Sequence, residues 1–298
     1  MTETAGTNTA TPAAPESGKG GGFVAKMSAT SRFEPRATVR WLDKALGWAK
    51  RVLSDELYEG LATLLVTVGH YGMLLAQVSC VFFGVTEATK LSNVTWFFYG
   101  LGLALGLVVL QYTASRFLNV GAALIKTSPS RLGSPAFTDC TAWLVEALGI
   151  VLFVQKIMLK DWGQFFQGLA IWAVCDVVAW IALNPKMLNI SVSEDIRAGE
   201  EAIGIMSFFA KMFLRLVPMA FGIGSVIGGV VLLIGCFTLM KDGDASLGLS
   251  GLKLATVCVC LPLGSYVAFA MYNLGIDLMR AILVVPGKLD KLGGQRGE

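Results

Sequence analysis

The residues able to do chemistry in this chain are few, and most sit where charge is expensive. The single histidine, His70, and two carboxylates, Glu146 and Asp176, fall inside long apolar runs. A charged side chain at the centre of a bilayer span costs about 2.5–3.5 kcal/mol on insertion scales, so such groups mark candidate sites. Thr63, Thr67, His70 and Gln77 follow one another at spacings of 4, 3 and 7, which puts all four on one helical face. Glu146 and Asp176 each lie about seven residues from the same side of the membrane, on neighbouring runs. Two carboxylates brought together in low dielectric raise the proton affinity of one of them, and a histidine beside them can share that proton. Gathered at one depth, His70, Glu146 and Asp176 would form a proton relay or a cation site. The plainer reading is that these groups satisfy one another, hold helix register or snorkel to the headgroups. Asp277 and Arg280, at i and i+3, read as an interfacial ion pair.

Catalytic signatures are missing. The sequence has no H-E-x-x-H, no P-loop and no strand-to-helix G-x-G-x-x-G. A membrane serine protease would need His70 to meet Ser225 or Ser265. The six cysteines, Cys80, Cys140, Cys175, Cys236, Cys258 and Cys260, form no C-x-x-C pair and stand apart from the histidine. They read as small apolar residues. No enzyme activity, cofactor or metal site is expected.

The elements that must position these residues are apolar helices. The chain is 54% hydrophobic and 15% charged, with a mean hydropathy of +0.64. A soluble domain carries about 25% charged residues. Six runs, near 61–85, 94–116, 140–159, 162–183, 214–240 and 254–277, each approach the length that crosses a bilayer. A spanning helix needs about 20 residues for about 30 Å of hydrocarbon. The expected fold is therefore all-α: a polytopic membrane protein with a six-helix transmembrane bundle over 58–286 and an N-terminal amphipathic interfacial helix.

Basic residues alternate between the loops. Counted in chain order, the five loops hold 1, 3, 2, 4 and 2 Lys/Arg. The positive-inside rule then places both termini and the second and fourth loops in the cytoplasm. A cell (inner) membrane fits better than an organelle membrane. The net charge of +3 is small, and nucleic acid is not an expected partner.

Residues 1–35 begin as a tract rich in Thr, Ala, Pro, Gly and Ser and read as a disordered polar tail. Over 36–57 the pattern changes. Val39, Leu42, Ala45, Leu46, Ala49, Val52 and Leu53 share one half of a helical wheel. Arg36, Arg40, Lys44 and Arg51 share the other, and Trp41 and Trp48 lie at the edge. A basic face with interfacial tryptophans suits a helix lying on anionic lipid at the cytoplasmic face. A second cytoplasmic helix is expected before span five, opened by a Ser191/Glu194 capping box. Only Lys160 and Asp161 separate spans three and four, so these must form a tight hairpin. Pro286 is expected to close the helical run that leaves span six, ahead of a tail over 287–298.

Gly102 and Gly106 in span two, and Gly224 and Gly228 in span five, have the spacing that lets two helix backbones approach. The function these features favour is non-enzymatic: a membrane-organising or partner-binding protein that associates with lipid, with a second copy or with another membrane protein. The alternative is a transporter or small-ion channel built on His70, Glu146 and Asp176.

Overall fold

The structure is a computed structural model that describes residues 36–193, 196 and 198–294. Side chains are described for these except 36–39, 198, 280 and 282–294. The tail over 1–35 and residues 295–298 therefore lie outside it, as do the side chains of Arg36 and Arg280. Seven α-helices are described: α1 (Arg36–Val52), α2 (Asp55–Lys90), α3 (Thr95–Thr127), α4 (Pro135–Ile157), α5 (Trp162–Leu183), α6 (Ala198–Asp242) and α7 (Ser246–Gly294). Strands β1 (Ser130–Leu132) and β2 (Ile190–Val192) and a 3₁₀ turn (Pro185–Leu188) complete the chain. Six helices are long and apolar enough to cross a membrane, as the six apolar runs predict. The chain is a multi-pass membrane protein of all-α class.

The chain divides into a unit over Met1–Gly47 and a second over Trp48–Glu298. In the first, the described residues are the opening turns of α1. Arg40, Trp41 and Lys44 are exposed there. The surface helix expected over 36–57 ends at Val52. Ser54 then caps α2, its hydroxyl accepting from the Leu57 amide at 3.3 Å. A helix start leaves its first amides without carbonyl partners, and a serine in extended conformation answers one of them.

In the second unit, α2, α3, α6 and α7 make a four-helix bundle. Its core includes Met73, Ala76, Leu107, Phe221, Leu232 and Val259. Lipid tails are as apolar as leucine, so no hydrophobic force drives these helices together. Close backbone packing must do so instead. The glycines supply it. A Cβ added at Gly72 would lie 2.7 Å from the Val226 backbone, and one at Gly69 2.7 Å from Gly222 Cα. Gly84 and Gly100 face each other across α2 and α3 just as closely, a Cβ on Gly100 meeting Gly84 Cα at 2.7 Å. Gly228 packs on Ala255 of α7, and Gly224 on Cys258. Gly102 and Gly106 depart from expectation: a Cβ on either meets nothing within 4 Å. They point away from the bundle, because the seam of α3 runs through Gly100, Ala104 and Leu107 instead.

The hairpin expected at spans three and four is α4–α5. Lys160 sits at φ 52°, in the left-handed region, and Asp161 caps α5. Gly149 and Gly168 are its contact points, against Cys175 and Lys156 respectively. Every aromatic or hydrogen-bonded contact described between this hairpin and the rest of the second unit lies at one end. These are Phe137 with Phe208 and Phe209, Lys50 with Asp139, Tyr58 with Trp180, and Asn184 with the Leu53 carbonyl. Beyond Ala142 and Ala179 the buried residues of the pair are Gly149 and Gly168, which face the hairpin's own partner helix. The hairpin therefore leans on the bundle at its base and stands free along its length.

At that same end the second and fourth interhelical loops are joined. β1 and β2 pair in parallel, Ser130 opposite Ile190 and Leu132 opposite Val192. This pairing replaces part of the expected cytoplasmic helix: Ser191 is a strand residue, not a helix cap, and Glu194 lies outside the described residues. The helix itself exists, but as the first turns of α6, which runs unbroken through Pro218 into the span. Pro286 likewise does not end α7, which continues to Gly294. A proline removes one ladder bond and bends a helix without obliging it to stop. At the opposite end, Gly243 takes φ +79° and Asp244 accepts from the Ser246 amide at the start of α7. The amide and hydroxyl of Ser246 hold the Asp244 carboxyl below the usual carboxylate range.

Candidate functional site

The polar residues of the spans fall into three groups, and the expected cluster of His70, Glu146 and Asp176 is divided between two of them. In the first, Gln77 Nε2 donates to Gln111 Oε1 at 2.6 Å. Gln111 Nε2 in turn lies 3.2 Å from both Nδ1 and the backbone carbonyl of His70. A primary amide has two protons, and these two acceptors use both. The imidazole packs edge-on against Phe221, ring centroids 5.1 Å apart. This closed chain ties α2 to α3 and leaves His70 Nδ1 as an acceptor. No described contact joins His70 to Glu146, Asp176, Ser225 or Ser265. Ser265 donates instead to the Pro262 carbonyl at 2.9 Å.

Thr63 and Thr67 belong to the same helical face in sequence but not to this network. Each hydroxyl donates back to the carbonyl four residues earlier, Glu59 at 2.8 Å and Thr63 at 2.9 Å. Both residues are exposed, whereas Gln77 is buried. The stripe thus enters the bundle only at its His70 end.

The second group lies on the hairpin. Glu146 Oε1 accepts from Trp172 Nε1 at 2.8 Å. Its other oxygen, Oε2, is buried and has no hydrogen-bond partner. Asp176 lies within electrostatic range of Glu146 and is exposed. Among the described residues Asp176 makes no hydrogen bond or ion pair. Trp180 and Asp176 are one turn apart, so Asp176 shares the α5 face that meets Tyr58 at the hairpin base. Two carboxylates thus stand together on a free-standing apolar hairpin with one buried oxygen unanswered. Among the described residues, no group of three or more His, Cys, Asp or Glu side chains could hold a metal ion.

The third group lies where the two paired loops meet α6. Lys211 is 1% exposed. Its ammonium donates to the Ser128 carbonyl, to Ser130 Oγ at 2.8 Å and to the Asn189 carbonyl at 3.4 Å. Three protons meet three acceptors, drawn from the two loops that β1 and β2 join. Beside it, Arg215 lies 4.9 Å over the ring of the fully buried Tyr58 and pairs with Glu59 at 3.2 Å. The Tyr58 hydroxyl donates to the Arg215 carbonyl at 2.8 Å. The sequence signal for Lys211 was its place thirteen residues into α6, among apolar neighbours. For Gln111 it was a polar side chain within an apolar run, the signal already read at Gln77.

Of the remaining residues singled out by sequence, Asp277 is exposed, and its expected partner Arg280 lies outside the described side chains. Trp48 and Arg51 are exposed near the end of α1. None of the described cavities is lined by His70, Gln77, Gln111, Glu146 or Asp176.

An integral multi-pass membrane protein, with His70, Gln77 and Gln111 spent on one another, is the class these features define. Compared with protein-family models, curated proteins and solved structures, the chain matches none.

Proposed function

We propose that this protein acts by association within the membrane and catalyses no reaction. Its free-standing α4–α5 hairpin receives a transmembrane helix of a partner, and the Glu146–Asp176 pair meets a cationic or hydrogen-bond-donating side chain on that helix. The observation that carries this reading is the hairpin itself: it leans on the bundle at one end and holds along its free length a carboxylate pair with no cationic partner among the described residues, only one Glu146 oxygen being taken, by Trp172. A carboxylate facing lipid is costly, and a donor on a neighbouring helix removes the cost. The transport alternative requires His70 to join the same pair, and no described contact supports that.

The basic helix near the N-terminus completes the reading. Its charge and its two tryptophans suit the anionic cytoplasmic leaflet of a cell inner membrane, with both termini on that side. A second copy of this chain and a different membrane protein are the two sources of a partner helix. Replacing Asp176 by Asn and Glu146 by Gln together tests the proposal: insertion and fold persist, and recovery of the partner from crosslinked membranes is lost. Undiminished partner recovery in the double variant would remove the carboxylate pair from the account.

A further inference from the structure

At the end of the bundle where the loops pair, a concavity of about 270 Å³ opens between α2, α3, the 3₁₀ turn and α6. That is close to the lower end of ligand-pocket sizes, ~300 Å³. Its wall carries Lys126, Lys186 and Arg215 together with Asp55 and Glu59. Three cations face two carboxylates, a mixed arrangement that neither a simple anion nor a simple cation complements. Lys126 and Lys186 are exposed and make no ion pair among the described residues. Arg215 is held by Glu59 and by the Tyr58 ring, yet its Nε is buried without a partner. Asn189, at φ 52°, donates from its amide to the Lys126 carbonyl at 2.8 Å and fixes that rim.

Ala122, Ile125 and Met187 supply its apolar lining. Ala122, Ile125 and Arg215 also border a narrow slot between α3, α6 and α7, but that slot holds about 20 Å³, room for about one water, and is closed to a chain. The concavity thus lies at the end of the spans, at headgroup level, with its charged wall facing out.

We propose that this concavity binds the headgroup of an amine-bearing phospholipid. The phosphodiester lies against Lys126, Lys186 and Arg215, and the ammonium against Asp55 and Glu59. Its acyl chains stay in the surrounding bilayer, leaving past the exposed Ala122. Basic pockets between spanning helices are a recurrent mode of headgroup recognition. The two carboxylates select a headgroup that carries its own cation over one that carries phosphate alone. This inference is independent of the partner-binding reading, because no hairpin residue lines the concavity.

The test reconstitutes the full chain in equimolar phosphatidylethanolamine and phosphatidylglycerol and counts retained lipids by native mass spectrometry. Phosphatidylethanolamine should be retained over phosphatidylglycerol by about fivefold or more, the discrimination expected of one charge-assisted contact. The pair Lys126→Gln/Lys186→Gln should lose retained lipid of both kinds. The pair Asp55→Asn/Glu59→Gln should keep total lipid but lose the preference. All four positions are exposed, and equal unfolding temperatures without lipid show that the variants fold. Equal retention of the two lipids by the wild type overturns the proposal, as does wild-type behaviour of either pair. Binding of glycerophosphoethanolamine, which lacks acyl chains, as tightly as the lipid overturns the assignment to a membrane lipid.

Discussion

Replacing Lys211 by Met should loosen the loops that β1 and β2 join while leaving the spans intact. The ammonium serves three acceptors, but these are not equally dependent on it. The Asn189 carbonyl also accepts from the Ser130 amide at 3.2 Å, so it keeps a partner. Ser130 Oγ is a hydroxyl and can turn to another group. Only the Ser128 carbonyl is left orphaned beside an apolar side chain. A buried acceptor without a partner costs about 1–3 kcal/mol. Against this stands the desolvation of a buried ammonium, which the variant avoids. The net loss should therefore fall near the lower part of that range, about 1–2 kcal/mol, rather than at three times it. Hydrogen exchange reads it locally. Amides of Ser130 and Ser193, which donate to Asn189 and Leu132 across the pairing, should exchange about 5- to 30-fold faster. Amides within α2 and α6 should be unchanged. Exchange at Ser130 and Ser193 identical to the wild type would refute the claim that the ammonium holds these loops. Faster exchange spread evenly over the spans would show that Lys211 supports the bundle instead.

Two further outcomes follow from the bundle. Gly72→Val should prevent normal packing, because its Cβ would meet the Val226 backbone at 2.7 Å, and backbone cannot give way as a flexible side-chain end does. Overpacking of this type costs about 1–3 kcal/mol or more, whereas Gly102→Val, into open space, should shift the unfolding temperature in detergent very little. Gln111→Leu should destabilise by about 1–3 kcal/mol by stripping Gln77 of its acceptor and His70 Nδ1 of its donor. A companion Gln77→Leu change should then add less than it does alone, a non-additivity that thermal unfolding of the double variant reads directly.

The fold was legible because membrane helices announce themselves by length and apolar content. Six runs and a two-residue link at Lys160 and Asp161 were enough for six spans and a hairpin. What escaped is mostly tertiary. The β1–β2 pairing joins segments some sixty residues apart, and three-residue strands carry no alternation long enough to read. Ser191 followed by Glu194 looked like a helix start because the capping pattern is local, whereas the strand it belongs to is fixed by Arg131 across the pairing. Gly102 and Gly106 have the right spacing for close approach, but spacing does not say which face of α3 meets α2, and Gly100 holds that seam. The polar site was half legible. Depth put Glu146 and Asp176 at one level, and Asp176 lies within electrostatic range of Glu146. It could not say that His70 faces α3 and Gln111 rather than the hairpin, since helical order around a bundle is not written in helical period.

The most direct test of the account is photocrosslinking in the native membrane from Ala173. That residue is exposed on α5 and shares the helical face of Asp176 and Trp180. Leu105, exposed on α3, serves as a lipid-facing control. The account predicts a discrete adduct from Ala173 with the mass of a second membrane-protein chain, absent from Leu105. It should be lost when Asp176→Asn and Glu146→Gln are combined. Adducts with lipid alone from both positions would contradict it.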